Sequence, residues 1–168
     1  MHVFVTSDSH FGQAGMLEFL RPDGSRLRPF ASVEEHDDHL VAAWNARVQP
    51  TDKVYHLGDV AMHHRAIATI GRCNGRKVLI KGNHDTHRLT KYLPWFYDVR
   101  AYHVLDKLVL SHVPIHPESL GRFRGNVHGH LHAQQLADPR YQNVCVEHTH
   151  WAPLELSEVQ QLFRSPTS

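Results

Sequence analysis

Five short apolar runs in this chain each stop at a cluster of Asp, His or Asn, and that recurrence restricts the fold more than any other feature. Val3-Phe4-Val5 leads into Asp8-Ser9-His10, Val54-Tyr55-His56-Leu57 into Gly58-Asp59, and Val78-Leu79-Ile80 into Gly82-Asn83-His84-Asp85. Leu108-Val109-Leu110 leads into Ser111-His112, and Asn126-Val127 into His128-Gly129-His130-Leu131-His132. Apolar runs of this length with β-branched side chains read as buried strands. In sheets covered by helices, ligands sit just beyond the carboxyl ends of strands, so the five clusters are expected to converge on one place. Gly82 lets the backbone turn there and lets a ligand approach.

The segments between these runs supply the covering elements. Ser32 with Glu35 is a capping-box pattern, and Val33, Leu40, Val41, Trp44 and Val48 follow at helical spacing, which predicts a helix over 33–47. On that helix His36 and His39 are expected on the solvated side beside Asp37 and Asp38. Shorter helices are expected at 13–20 and 63–72, with His63 and His64 pointing different ways at the start of the second. Strands are expected at 97–102 and 144–146. Ser157 with Gln160 predicts a closing amphipathic helix through Leu162 and Phe163. Helices alternate with strands early and strands follow one another late. The expected class is therefore α/β: two packed β-sheets flanked by helices, in a single domain over 1–168.

Charge and cysteine narrow the function. Lys and Arg total 18 against 17 Asp and Glu, a net +1, so no basic footprint announces nucleic acid. Histidine matches the acids at 17, but it is dispersed, which excludes a tag or a His-rich tract. Cys73 and Cys145 form no Cys-x-x-Cys pair, so they are expected to be half-buried small hydrophobes in a reducing compartment. The start of the chain has no basic, long apolar leader, and no apolar stretch approaches the ~20 residues of a membrane span. A soluble cytoplasmic protein without a membrane partner is the expectation.

Taken in order, Asp8-Ser9-His10, Gly58-Asp59, Gly82-Asn83-His84-Asp85, His112 and Gly129-His130-Leu131-His132 resemble the five motifs of the calcineurin-like metallophosphoesterases. Arg28-Pro29-Phe30 and Trp44-Asn45 resemble the small prokaryotic and phage members. The resemblance implies the four-layer αββα sandwich of that superfamily. The short spacings from Asp85 to His112 and from His112 to His130 leave no room for a cap domain.

Asp, His and Asn side chains suit borderline-hard divalent ions. Seven ligands exceed one ion's need, and the carboxylate of Asp59 has two oxygens with which to bridge a pair. The resemblance implies that Asp8, His10 and His132 join Asp59 on one metal, and Asn83, His112 and His130 join it on the other. The expected ions are two Mn²⁺, with Fe, Zn or Ni as alternatives. A bridging hydroxide would attack phosphorus in line. His84 is expected to assist the leaving group, with Asp85 orienting its ring.

The implied activity is metal-dependent phosphoester hydrolysis, leaning to phosphodiesters because the groove is open. The substrate would be a small phosphoester or nucleotide. Phosphomonoesterase, nuclease and a non-catalytic metal-binding scaffold are the competing readings. Asn83 and His84 are candidate substrate contacts; His128, two residues before His130 on an extended segment and so on the same side, is a candidate for the same role or, preferably, for support behind the ligands. Arg122 and Arg124 are candidates for a second phosphate, against the simpler reading of a solvated turn. Val60-Ala61-Met62 and Asp85 depart from the protein Ser/Thr phosphatases of the superfamily, and Gln13 stands where small relatives often carry His.

Overall fold

Alternation along the first strands decides which layers meet. In the computed structural model, which describes residues 1–163, β1 (Val3–Thr6) sends Phe4 one way and Val5 the other. β2 (Lys53–His56) does the same with Val54 and Tyr55, and β3 (Arg76–Ile80) with Leu79 on one face and Val78 and Ile80 on the other. Period-2 strands that are apolar on both faces must be covered on both. The last residues of the expected 1–168 unit, 164–168, lie outside the described ones.

The outer face of this sheet packs on α1 (Val33–Arg47) and a 3₁₀ helix over Ala66–Arg72. The inner face meets a second sheet, with Val5, Tyr55, Leu57, Val78 and Ile80 against Leu108, Leu110, Val127 and Val144. The first sheet adds β4 (Asp98–Arg100) and β9 (Leu154–Glu155), in the order β4-β3-β2-β1-β9, with β1 to β4 parallel and β9 antiparallel. The second comprises β5 (His103–Leu105), β6 (Leu108–Leu110), β7 (Gly125–His128) and β8 (Tyr141–Asn143), the last three parallel. A one-turn α2 (Pro117–Leu120) precedes β7, and α3 (Leu156–Leu162) closes the inter-sheet core with Leu156 and Val159. The protein is thus mixed α/β with two packed sheets and helices. Among the described residues no helix is long and apolar enough to cross a membrane.

Helix α1 occupies the expected span, and Ser32 accepts from the Glu35 amide; Glu35's own carboxylate turns to the Ala31 amide, so the box is half formed. His36 departs from expectation. It lies one turn before Leu40, hence on the same face, and it is buried with its ring against Phe30 and its nitrogens on Asp37 and Arg28. Asp37 is buried too, accepting from the Gly12 amide, while His39 and Asp38 are exposed as expected.

Other boundaries shift for local reasons. The helices expected at 13–20 and 63–72 are 3₁₀ turns at Ala14–Leu17 and Ala66–Arg72, leaving His63 and His64 exposed before the second. The strand expected at 97–102 is the shorter β4. The strand expected at 144–146 is instead β8, three residues earlier, followed by a 3₁₀ turn at Val146–His148. Helix α3 begins at Leu156, capped by Glu155 and Glu158 rather than by Ser157 and Gln160. Both cysteines are free and fully buried, not half-buried.

Candidate metal centre

Every expected ligand sits just past the carboxyl end of a parallel strand: Asp8 and His10 after β1, Asp59 after β2, Asn83 after β3, His112 after β6, and His130 and His132 after β7. The structure brings them together across the two sheets. An isolated parallel bridge between Ser7 and Cys145 ties the end of β1 to the segment after β8, which joins the sheets at this point.

Two groups of ligand atoms result. Asp8, His10 and His132 form one and Asp59, His112 and His130 the other, each with its atoms within 4.8 Å of one another. Asp59 Oδ2 lies 3.7 Å from His10 Nε2 and 3.4 Å from His112 Nε2, so one carboxylate oxygen faces both groups. Asn83 Oδ1 is 2.7 Å from His112 Nε2, placing the amide with the second group.

In five of the seven ligands, Asp8, Asp59, His10, His112 and His132, the other polar atom is held by the protein, which leaves one atom aimed inward. Asp8 Oδ2 accepts from Ser7 Oγ, the His130 amide and Cys145 Sγ, while its Oδ1 is buried without a partner. Asp59 Oδ1 accepts from the His84 amide. His10 Nδ1 faces Gln13 Oε1 at 2.7 Å, His112 Nδ1 faces the Leu57 carbonyl at 2.8 Å, and His132 Nδ1 faces Glu147 Oε1 at 3.2 Å. These contacts fix the Nε2 atoms as inward lone pairs, and His10 Nε2 is likewise buried and unpartnered. Buried polar atoms without partners are rare in folded proteins. Asp8 Oδ1 and His10 Nε2, side by side at 3.6 Å, belong with His132 to a group that could hold a metal ion, and the oxygen and nitrogen donors there would suit a divalent cation.

Backbone strain concentrates in the same place. Asp8, His10, Asp59, His130 and His132 all have positive φ, between 48° and 70°. The left-handed region costs a non-glycine residue about 1–2 kcal/mol, so five such residues among seven candidate ligands mark a site maintained against local preference. Gly129 shows how tightly the loops meet: a Cβ there would collide with Ser7 Oγ and Asp8 Oδ2.

Electrostatics follow from the mutual contacts. Burial alone would raise the Asp8 carboxyl, but His10, His112 and His132 hold it well below the usual range; Asp59 is lowered against burial chiefly by His112. His112 is raised against burial by Asp59 and Asp8, and His132 against burial by Glu147 and Asp8. His130 is lowered, by burial and then by neighbouring His112.

Three residues behind the ligands were not legible as part of the site. Arg28 is fully buried, donates to the Asp8 and Ser9 carbonyls at 2.5 and 2.8 Å, and pairs with Glu147 at 2.8 Å. Glu147 in turn anchors His132, and Cys145 donates to Asp8. His132, Cys145 and Glu147 also form a compact third group; Arg28 and His132 both engage Glu147 Oε1 while its Oε2 is buried without a partner, and burial pushes the Cys145 thiol well up. The only local signal was Arg28 itself, a cation within an otherwise apolar Leu27–Phe30 segment.

Other expectations need correction. Asp85 does not orient the His84 ring: its carboxylate accepts from the Asp59, Val60 and Gly82 amides, clamping two ligand loops together. Burial raises its carboxyl. His84 itself is exposed beside His10, ring centroids 5.7 Å apart. His128 is fully buried, with Nδ1 on the Gly129 carbonyl and its ring near Tyr141, so it cannot contact a substrate. It is in the second sheet's interior because it belongs to β7 itself. Arg122 and Arg124 are exposed and line neither cleft beside the ligands, as a solvated turn would have it. His56 is a packed strand residue, on Ser9 Oγ at 2.6 Å.

No family model matches the chain. It is 30% identical over 175 residues to the Methanocaldococcus jannaschii protein MJ1445, described as uncharacterized, covering 95% of this chain and 90% of the relative. It is 37% identical over 90 residues to the gene 66 protein of Mycobacterium phage L5, covering 50% of this chain and 40% of the phage protein. A crystal structure of an Aquifex aeolicus protein of unknown function, AQ665, shares the fold with a TM-score of 0.75 at 21% identity, over 96% of this chain and 98% of that one.

Proposed function

We propose that this chain, which belongs to the same family as the Methanocaldococcus jannaschii protein, is a dinuclear-metal-dependent phosphoester hydrolase acting on phosphodiesters. The observation that carries the reading is Asp59 Oδ2, a single oxygen facing both ligand groups. Two packed sheets with α1 and the 3₁₀ helix over Ala66–Arg72 outside the first are compatible with three layers of the four-layer sandwich that the motifs resemble.

Two divalent ions in such a site would polarise phosphoryl oxygens and lower the pKa of water. Mn²⁺ is the proposed ion, with Fe, Zn or Ni fitting the same donors. Asp8, His10, His132 and Asp59 would hold one and Asp59, Asn83, His112 and His130 the other. The chain's own side chains do the rest. Gln13, Leu57 and Glu147 keep three rings turned inward, and the Asp85 clamp keeps the Asp59 and Asn83 loops in register. A water molecule gives up one proton to solvent as its oxygen bonds to phosphorus, the P–O bond to the alcohol breaks, and the departing oxygen takes a proton from His84, which is exposed and regains one from solvent.

Turnover of bis-p-nitrophenyl phosphate and p-nitrophenyl phosphate by Mn²⁺-loaded protein tests this. The expected result is hydrolysis that favours the diester and disappears in Asp59→Ala together with bound metal. Two bound metals with no hydrolysis of either ester would favour a non-catalytic scaffold, and preference for the monoester would favour a phosphatase.

A further inference from the structure

Two clefts reach the ligand cluster and share no wall residue. The first, about 610 Å³, has Asn83 and His112 at its inner end and an apolar wall that includes Tyr102, Val113, Ile115 and Phe123. The second, about 490 Å³, has His10, His84 and His132 at its inner end, with Met16, Phe19 and Leu27 around it. The His112 and His130 rings, 5.1 Å apart, connect the two inner ends. Neither wall contains an Asp or Glu, and each contains a single Lys or Arg: Lys81 in the first, Arg21 in the second.

A phosphomonoester carries one organic group and would leave one cleft idle. A polynucleotide needs a track of cations for its repeating phosphates, and one cation per cleft does not provide it. A small diester carries one anionic phosphoryl centre and two organic groups, which is what two acid-free apolar clefts meeting at a cation site would accept. Building on the phosphoester reading above, we propose that the clefts are the two substituent sites of a small phosphodiester.

The leaving alcohol occupies the cleft that holds His84, because the group that gives it a proton must border it. The retained group occupies the other, and it is a flat, uncharged ring system. Tyr102 is 62% exposed and Phe123 is partly exposed, so two aromatic rings are offered at that wall. Stacking on such rings recognises planar groups. The volume lies in the range that encloses a nucleoside-sized group.

The test uses diphenylphosphinate and dimethylphosphinate, two monoanions whose P–C bonds resist hydrolysis, titrated calorimetrically into Mn²⁺-loaded protein. Wild type is expected to bind the diphenyl compound about tenfold more tightly or better, as burial of a phenyl ring predicts. In the Tyr102→Ala/Phe123→Ala double variant that preference should fall at least threefold, with dimethylphosphinate affinity unchanged. Equal affinities in wild type, or a preference untouched by the double variant, would overturn the proposal. The same proteins are assayed on p-nitrophenyl phenylphosphonate: the binding pattern without turnover would overturn the hydrolase reading and leave the cleft assignment standing.

Discussion

Replacing Glu147 by Ala should cost the metal-free protein about 3 kcal/mol of unfolding free energy. The carboxylate is fully shielded from solvent, accepts from Arg28 Nε at 2.9 Å, lies 2.8 Å from Arg28 Nη2 and faces His132 Nδ1 at 3.2 Å. Burial alone would raise its pKa, but Arg28 and then His132 bring it down from 4.5 to about 2. A lowered carboxyl pKa stabilises the fold above its unfolded value, and that stability is lost as pH falls through the folded one. The gap corresponds to roughly 3 kcal/mol at neutral pH. Breaking a buried ion pair from one side costs about 3–5 kcal/mol by mutational precedent, and Arg28 keeps its bonds to the Asp8 and Ser9 carbonyls, which favours the lower end. Urea unfolding in chelator measures the loss. Because His132 loses its anchor, Mn²⁺ affinity should also fall by about 10–100-fold. A paired Arg28→Met/Glu147→Leu variant should be less destabilised than Glu147→Ala, since no charge is left buried alone. A loss below about 1 kcal/mol in Glu147→Ala, with metal affinity unchanged, would refute the reasoning.

Further outcomes follow from the same contacts. His84→Ala should keep its metals and lose turnover by about 100-fold or more; metal loss measured by elemental analysis would make His84 a ligand instead. His56 is fully buried and burial pushes its pKa down to about 4 from 6.5, so its contribution to stability is present above pH 6.5 and lost between there and about pH 4. Unfolding free energies from urea titrations across that window should fall by roughly 3 kcal/mol more in wild type than in His56→Gln, and parallel curves would contradict this. Gly129→Ala should destabilise by about 1–3 kcal/mol and weaken metal binding, because its Cβ would push on Ser7 and Asp8; wild-type thermal stability and metal affinity would show that the loop has room.

What the sequence disclosed, and what it did not, divides along physical lines. Ligands at strand ends were legible because an apolar run that stops at Asp or His leaves a local trace, and α1 was legible from its period and its Ser32 cap. Glu147 and the Asp85 clamp left none, and Arg28 only its charge in an apolar segment, since their meaning lies in partners far along the chain: 119 positions separate Arg28 from Glu147. His36 was misplaced because its polar identity outweighed its position one turn from Leu40, and the burial of Arg28 beside it could not be foreseen. His128 was misplaced for the opposite reason. Proximity to His130 suggested a shared face, but the strand holds His128 in the interior, and His130 lies beyond the strand's end with a left-handed backbone that turns it into the site. The swap of Ser157 for Glu155 as the cap of α3 shows that a capping pattern fixes a helix start only to within a turn.

Anomalous diffraction from crystals of Mn²⁺-loaded protein addresses the central claim most directly. Two peaks are predicted, one among Asp8, His10 and His132 and one among Asn83, His112 and His130, with Asp59 touching both. A single peak, a peak at Glu147 and Cys145, or Asp59 bound to neither ion would contradict the account.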